Sequence, residues 1–224
     1  MKTISFAVPC FNSADYMEKC VESLLPCGDD IEIILVDDGS TKDNTPEICD
    51  RLEKEHPGIV RAIHKPNGGH GSAVNSGLEA ATGLYYKVVD SDDWLEPDAF
   101  MALAEVLESQ KFDIISFNRK FVKGEEDPIV SDPLVTQVFE GKDAFVQMLK
   151  HSYITGFAND KIYKKSLFID NNISFPKGKY YEDLGTNYKL FLSAENVFAT
   201  NQKYYHYLID NPDSITQSWN EQKF

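Results

Sequence analysis

The 224-residue chain predicts an α/β fold in which an open, mostly parallel sheet carries helices on both faces. Three observations predict it. Short β-branched runs alternate with amphipathic stretches through the first half of the chain. Those runs are almost continuously apolar, as expected of strands covered on both sides. Clusters of turn-forming residues stand at their ends: PCFN at 9–12, DDGST at 37–41 and DSDDW at 90–94.

The elements follow in order. TISFAV at 3–8 reads as the first strand, and beyond Ser13 the residues Tyr16, Met17, Cys20, Val21, Leu24 and Leu25 share a helical face that Pro26 and Gly28 end. IEIILV at 31–36 is the second strand. Thr45 as N-cap and Pro46 as first helical residue predict a helix burying Ile48, Cys49 and Leu52. IVRAI is the third strand, and the Gly-rich stretch NGGHGS at 67–72 opens a helix carrying Ala73, Val74, Leu78 and Ala81. YYKVV at 85–89 is the fourth strand. Pro97 then starts a helix with Phe100, Leu103, Ala104 and Leu107 aligned, and FDIISF at 112–117 is a further strand. The second half is less regular. Between 121 and 139 a strand, a polar excursion and another strand are expected, followed by a helix over 141–152. Further helices are expected over 161–170 and 182–194, and a strand over 203–209. No internal repeat or low-complexity linker divides the chain, which predicts one continuous domain.

Composition narrows the chemistry. A hydrophobic fraction of 42% supports a packed core without disulfides, and Cys10, Cys20, Cys27 and Cys49 show no zinc-like spacing, so free thiols are expected. The net charge of −14 argues against a nucleic-acid partner, whose phosphates need Lys and Arg. A phosphorylated small molecule remains compatible if a divalent cation or oriented backbone N–H groups offset its charge. No segment has the length or apolarity of a membrane span, and the expected location is the cytoplasm, with peripheral contact at the inner face of the membrane allowed.

In open α/β sheets ligands bind outside the carboxyl ends of the strands, where the loops at 9–12, 37–41 and 90–94 lie. Asp90-Ser91-Asp92 alone says little, because a chain with 20 aspartates yields about two such spacings by chance. A helix N-cap is the bland alternative. Two carboxylates one residue apart on a turn can also hold one hard cation that keeps water and substrate phosphate as its other ligands. Asp38, in a turn after a buried strand, is expected to present its carboxylate to ligand or water rather than to the core. Gly69 and Gly71 lack the third glycine of a dinucleotide fingerprint, and neither a P-loop lysine nor a nucleophile elbow is present.

The ordered set VPCFN, EIILVDDGSTKDNT, KPNGGHGSAVNSGLEAATG, KVVDSDDWLEPDAF, NDKIYKKSLF, ISFPKGKYYED and YYHYLIDNPDSIT resembles the bacterial family 2 glycosyltransferases of GT-A fold over essentially the whole chain. The resemblance implies inverting transfer of a sugar from a nucleotide diphosphate donor, usually a UDP-sugar, with Mn2+ or Mg2+, to a carbohydrate or lipid-linked acceptor in cell-surface polysaccharide or glycolipid synthesis. It implies a nucleotide-sugar-binding half over 1–117 and an acceptor-side half over 118–224. Carried over by position, Asp38 resembles the acid that bonds the base, with Pro9 and Phe11 lining that pocket. Asn12, Asn67, Gly71 and Ser91 fall in the substrate-binding stretches. Asp90 and Asp92 resemble the metal and diphosphate pair, and Asp183 beside Glu182 resembles the catalytic base. The chain departs from many relatives at Val74, where they carry arginine, and at Tyr207-Leu208, where they show Tyr-Arg. Many relatives also continue beyond DSIT, so a truncated acceptor side is expected.

Two other classes compete. A sugar nucleotidyltransferase would need a basic Gly-rich loop near the N-terminus, and VPCFNSAD is not one. A catalytically silent nucleotide-sugar-binding module would follow if Val74, Leu208 or the short C-terminal side abolished turnover. For Glu182-Asp183 the bland alternative is a charged first helical turn favoured by the helix dipole.

Overall fold

The computed structural model describes residues 2–28, 30–123, 135–150, 154–209 and 211. Four parallel strands build its first half: β1 (Ile4–Cys10), β2 (Ile31–Asp37), β3 (Val60–His64) and β4 (Tyr85–Val88), in spatial order β3-β2-β1-β4. Their connections are α1 (Met17–Leu24), α2 (Thr45–Glu55) and α3 (His70–Ala80). Alternation within each strand supplies two cores. Phe6, Val8, Ile33 and Leu35 point to one face, where Met17, Val21, Leu24, Ile48 and Leu52 cover them. Ala7, Ile34 and Val36 point to the other, against Val74 and Leu78. Burying both faces accounts for the near-continuous apolar runs.

The sheet continues through β8 (Lys161–Lys164), β6 (Ile114–Val122), β9 (Asn196–Leu208) and β5 (Trp94–Leu95), with β7 (Thr136–Glu140) also paired to β9. Here directions mix. β8 runs antiparallel to both β4 and β6, while β9 is parallel to β6 and antiparallel to β5 and β7. Helices α4 (Pro97–Met101) and α5 (Ala104–Glu108) lie on the first core face, where Phe100, Leu107 and, between the two helices, Leu103 are buried. Helices α6 (Gly141–Leu149), α7 (Lys165–Asp170) and α8 (Glu182–Ser193) lie on the second.

Several expectations are corrected. The helix expected over 161–170 begins only at Lys165, because Lys161–Lys164 bridge the gap between β4 and β6, where Ile162 and Tyr163 are fully buried. Ladder hydrogen bonds and burial on two sides override a helical pattern there. The last strand runs from Asn196 rather than 203, since its early residues pair with β6 and β7. The single helix expected after Pro97 is two short ones. Thr45 does not cap α2; it is the first helical residue, and its buried hydroxyl accepts a 2.7 Å bond from the Ser13 backbone N–H. The polar excursion at 124–134, the end of the 141–152 helix and the DSIT stretch lie outside the described residues.

Candidate active site

The three loops identified from the sequence meet at the carboxyl ends of β1, β2 and β4, where the strand order reverses. Asn12 ties two of them together. Its backbone N–H donates to Ser40 Oγ at 2.9 Å, and its Oδ1 accepts from the N–H groups of Thr41 and Lys42 at 3.1 Å. It does so in a left-handed conformation (φ 51°) that asparagine tolerates. Ser91 joins the third loop through a 2.8 Å bond to Ser13 Oγ. Pro9 is buried in β1, whereas Phe11 is exposed at the rim, as is Asn67.

Asp38 corrects its expectation. It is only 3% exposed and turns inward to the Gly-rich loop, accepting from Gly68 N at 3.0 Å, Gly69 N at 2.8 Å and the Lys65 ammonium. A buried carboxylate needs such partners, and the bare N–H groups ahead of α3 supply them. Gly71 likewise has a packing reason: a Cβ there would stand 2.4 Å from Pro176 O and 3.0 Å from Glu182 Cγ. Its lack of a side chain lets α3 approach the segment leading into α8.

The acidic loop divides into three roles. Asp93 is buried and faces β9, accepting from Tyr205 OH at 2.7 Å and Leu208 N at 2.8 Å; burial, then the charges of Asp90 and Asp92, push its pKa well up. Asp92 accepts a 2.6 Å bond from Asn211, and burial with the neighbouring Asp90 charge raises its pKa. Asp90 faces the opposite way. Its Oδ1 meets His70 Nε2 at 2.9 Å and its Oδ2 meets Asn159 Nδ2 at 3.4 Å. Burial opposes its charge, but the His70 and Asn159 bonds and the Lys87 charge hold its pKa below the ordinary aspartate value.

Glu182 and Asp183 open α8 after Tyr181, whose left-handed backbone (φ 52°) is uncommon for an aromatic residue and turns the chain sharply into the helix. Glu182 Oε1 contacts His70 Nδ1 at 2.5 Å. Asp183 Oδ2 accepts from Ala158 N at 3.0 Å, and among the described residues its other oxygen has no hydrogen-bond partner. Burial raises the Asp183 pKa to about 6, the range of a general base working near neutrality. His70, Val74, Asp90, Ala158, Asn159, Phe175, Glu182 and Asp183 line one small cavity. Residues read separately as donor loop and base helix thus share a single space.

The sequence reading missed three of these. In the sequence His70 is only one residue of the Gly-rich stretch NGGHGS, because its partners lie 20 and 112 residues away. Asn159 joins Asp90 to two cations: its backbone oxygen accepts from Lys87 Nζ at 2.6 Å and its Oδ1 from Arg119 at 3.1 Å. Lys87, inside β4 and fully buried, has its pKa pushed down to about 7 by burial. The KVV run into three aspartates was the available signal, since a lysine buried in a strand needs nearby negative charge.

The glycosyl transferase family 2 model matches residues 5–171, three quarters of the chain, and stops short of Phe175, Glu182 and Asp183. The chain belongs to that family. This family 2 chain is 34% identical over 219 residues to the uncharacterized glycosyltransferase EpsJ of Bacillus subtilis strain 168, covering 96% of itself and 63% of EpsJ. It is 32% identical to glycosyltransferase GlyA of Streptococcus pneumoniae serotype 4, covering 97% of itself and 32% of GlyA. Among solved structures it resembles S. aureus TarS 1–349 in complex with UDP-GlcNAc, with a TM-score of 0.79 over 98% of this chain and 62% of that one at 24% identity, a likeness of fold. The family 2 chain therefore spans under two thirds of EpsJ and of that TarS structure. No helix among its described residues is long and apolar enough to cross a membrane.

Among the described residues no group of three or more His, Cys, Asp and Glu is arranged to hold a metal ion. A hard cation carried largely by substrate phosphate and water asks for only one or two carboxylates. Asp90 and Asp92 are the carboxylates available for one: Asp92 bonds Asn211, while both oxygens of Asp90 are engaged, by His70 and Asn159.

Proposed function

We propose that this chain is the sugar-transferring part of an inverting glycosyltransferase that uses a nucleotide diphosphate sugar, with a UDP-sugar as the first donor to test, and an acceptor hydroxyl on a carbohydrate or lipid-linked carbohydrate. The observation that carries the reading is the shared cavity of Asp90 and Asp183, one at the switch point of the sheet and the other a raised-pKa carboxylate at a helix start. The TarS structure binding UDP-GlcNAc and the Pyrobaculum calidifontis mannosyltransferase solved with GDP-Man and Mn2+, at a TM-score of 0.63, support the choice of ligands.

Residues 1–117 form the donor half in this reading. Phe11 and Pro9 flank the base, while Asp38 holds the Gly-rich loop whose N–H groups and Asn67 border the nucleotide. Asp90 and Asp92 would hold the divalent cation, Mn2+ or Mg2+, which would stabilise negative charge on the leaving diphosphate. Residues 118–224 bring Asp183. Its unbonded oxygen takes the acceptor hydroxyl's proton while the acceptor oxygen attacks the anomeric carbon from the face opposite the diphosphate, which departs as its bond to that carbon breaks. A role in cell-surface polysaccharide or glycolipid synthesis on the cytoplasmic side fits an acceptor of this kind.

Calorimetric titration of UDP into the protein, with Mn2+ and with a chelator, tests the reading. Clear binding with Mn2+ and much weaker binding in chelator is the expected outcome; equal affinity in both would remove the cation, and no binding would remove the nucleotide.

A further inference from the structure

Three features of His70 bear on its role. Its backbone is fixed from both sides, because Gly69 takes a left-handed conformation (φ 82°) and Gly71 packs against Pro176 O. Its ring spans two elements that the chain keeps far apart, with Nε2 at 2.9 Å from Asp90 and Nδ1 at 2.5 Å from Glu182. Both partners are carboxylates, which only accept, so both ring nitrogens donate. The Asn159 contact to Asp90 is longer at 3.4 Å, which leaves His70 as the stronger of the two ties on that carboxylate.

We infer that His70 is a positioning residue that fixes the acidic loop and the base-bearing helix at one separation, its two ring nitrogens holding Asp90 and Glu182 so that Asp183 faces the donor held by Asp90. The inference rests on the proposed function. A substrate-side carboxylate whose second oxygen is held by a hydrogen bond keeps its orientation, and Glu182, 8% exposed, keeps its place at the first turn of α8 only while its charge has a partner. Asp183 moves with that turn. A shift of about 1 Å between donor and base is enough to lower turnover steeply.

The test uses three variants of the whole chain, with UDP–Mn2+ affinity, sugar transfer to an acceptor and melting temperature measured for each. His70→Ala removes both ties. His70→Gln places an amide nitrogen near Nε2 and so retains the Asp90 tie alone, while His70→Asn places one near Nδ1 and retains the Glu182 tie alone. If His70 couples the two elements, kcat falls in all three by roughly 10 to 100-fold, the worth of an orienting outer partner. His70→Gln alone should keep UDP–Mn2+ affinity within about threefold of wild type at unchanged binding stoichiometry, which shows that the fall in kcat is not a loss of folded protein. A merely structural ion pair would lower the melting temperature and leave kcat and affinity of the folded fraction unchanged, and that result overturns the inference. So does a His70→Asn or His70→Gln variant with wild-type kcat. Wild-type protein that binds no UDP defeats the proposed function and this inference with it, whereas wild-type binding with unaffected variants defeats this inference alone.

Discussion

The loops after β2 and β4 both carry neighbouring aspartates at the end of a buried strand, yet the two are satisfied in different ways. Asp37 accepts from Ser40 N at 2.9 Å and from His64, and Asp38 accepts from Gly68, Gly69 and Lys65. Their charges are absorbed by backbone N–H groups and cations within the same region of the chain. In the loop after β4 the carboxylates press on one another, Asp92 and Asp93 are pushed toward protonation, and Asp90 is held by residues from distant elements. The first loop is organised as structure that presents a surface. The second crowds three carboxylates together, so that two are pushed toward protonation while Asp90 keeps its charge through His70, Asn159 and Lys87.

The largest effect expected is at Asp183, the second loop's partner across the cavity. Asp183→Asn should reduce transfer to a real acceptor by roughly 10²-fold or more while leaving UDP–Mn2+ affinity intact. Transfer by the wild type should fall as pH drops below about 6, as the base gains its proton. Stability should move the other way. Folding raises this carboxyl's pKa, so its ionisation costs stability that is absent below the ordinary aspartate range and grows as pH rises through about 6. At neutral pH Asp183→Asn is therefore expected to raise stability, on the order of 1–3 kcal/mol, read by denaturant melts at pH 4 and pH 7.5. A variant that loses stability and keeps transfer would return Glu182-Asp183 to the role of a charged helix start.

Next in size is Asp92→Asn, which should abolish the difference between Mn2+ and chelator in UDP binding and relieve charge pressure on Asp93. Retained cation dependence would erase the contrast between the two loops. Asp38→Ala attacks the first loop. It strands the Lys65 ammonium and the N–H groups of Gly68 and Gly69, so a loss of about 2 kcal/mol in stability should accompany weaker UDP binding. Weaker binding at unchanged stability would mean that Asp38 meets the nucleotide directly. The smallest effect belongs to Asn12→Ala. Alanine in a left-handed conformation, without the bonds to Thr41 and Lys42, should cost about 1 kcal/mol by chemical denaturation.

By itself the sequence determined the parallel half of the sheet and the loops at its carboxyl edge, whereas roles for the carboxylates at 38, 90, 92 and 183 come from the family resemblance, and Asp38 turns inward instead of meeting ligand or water. Those signals are local: an apolar run ending in turn residues, or a charge pair at a helix start, is readable within a dozen positions. Only the tertiary structure decided that Lys161–Lys164 is a strand, because its partners β4 and β6 close on it from opposite sides. Only it decided that Asp93 faces β9 while Asp90 faces His70 at the start of α3, since successive residues of a turn point wherever the surrounding elements leave bonding groups. The same holds for His70, an isolated imidazole in sequence that gains its meaning from two carboxylates brought to it across 20 and 112 residues by sheet order and helix packing.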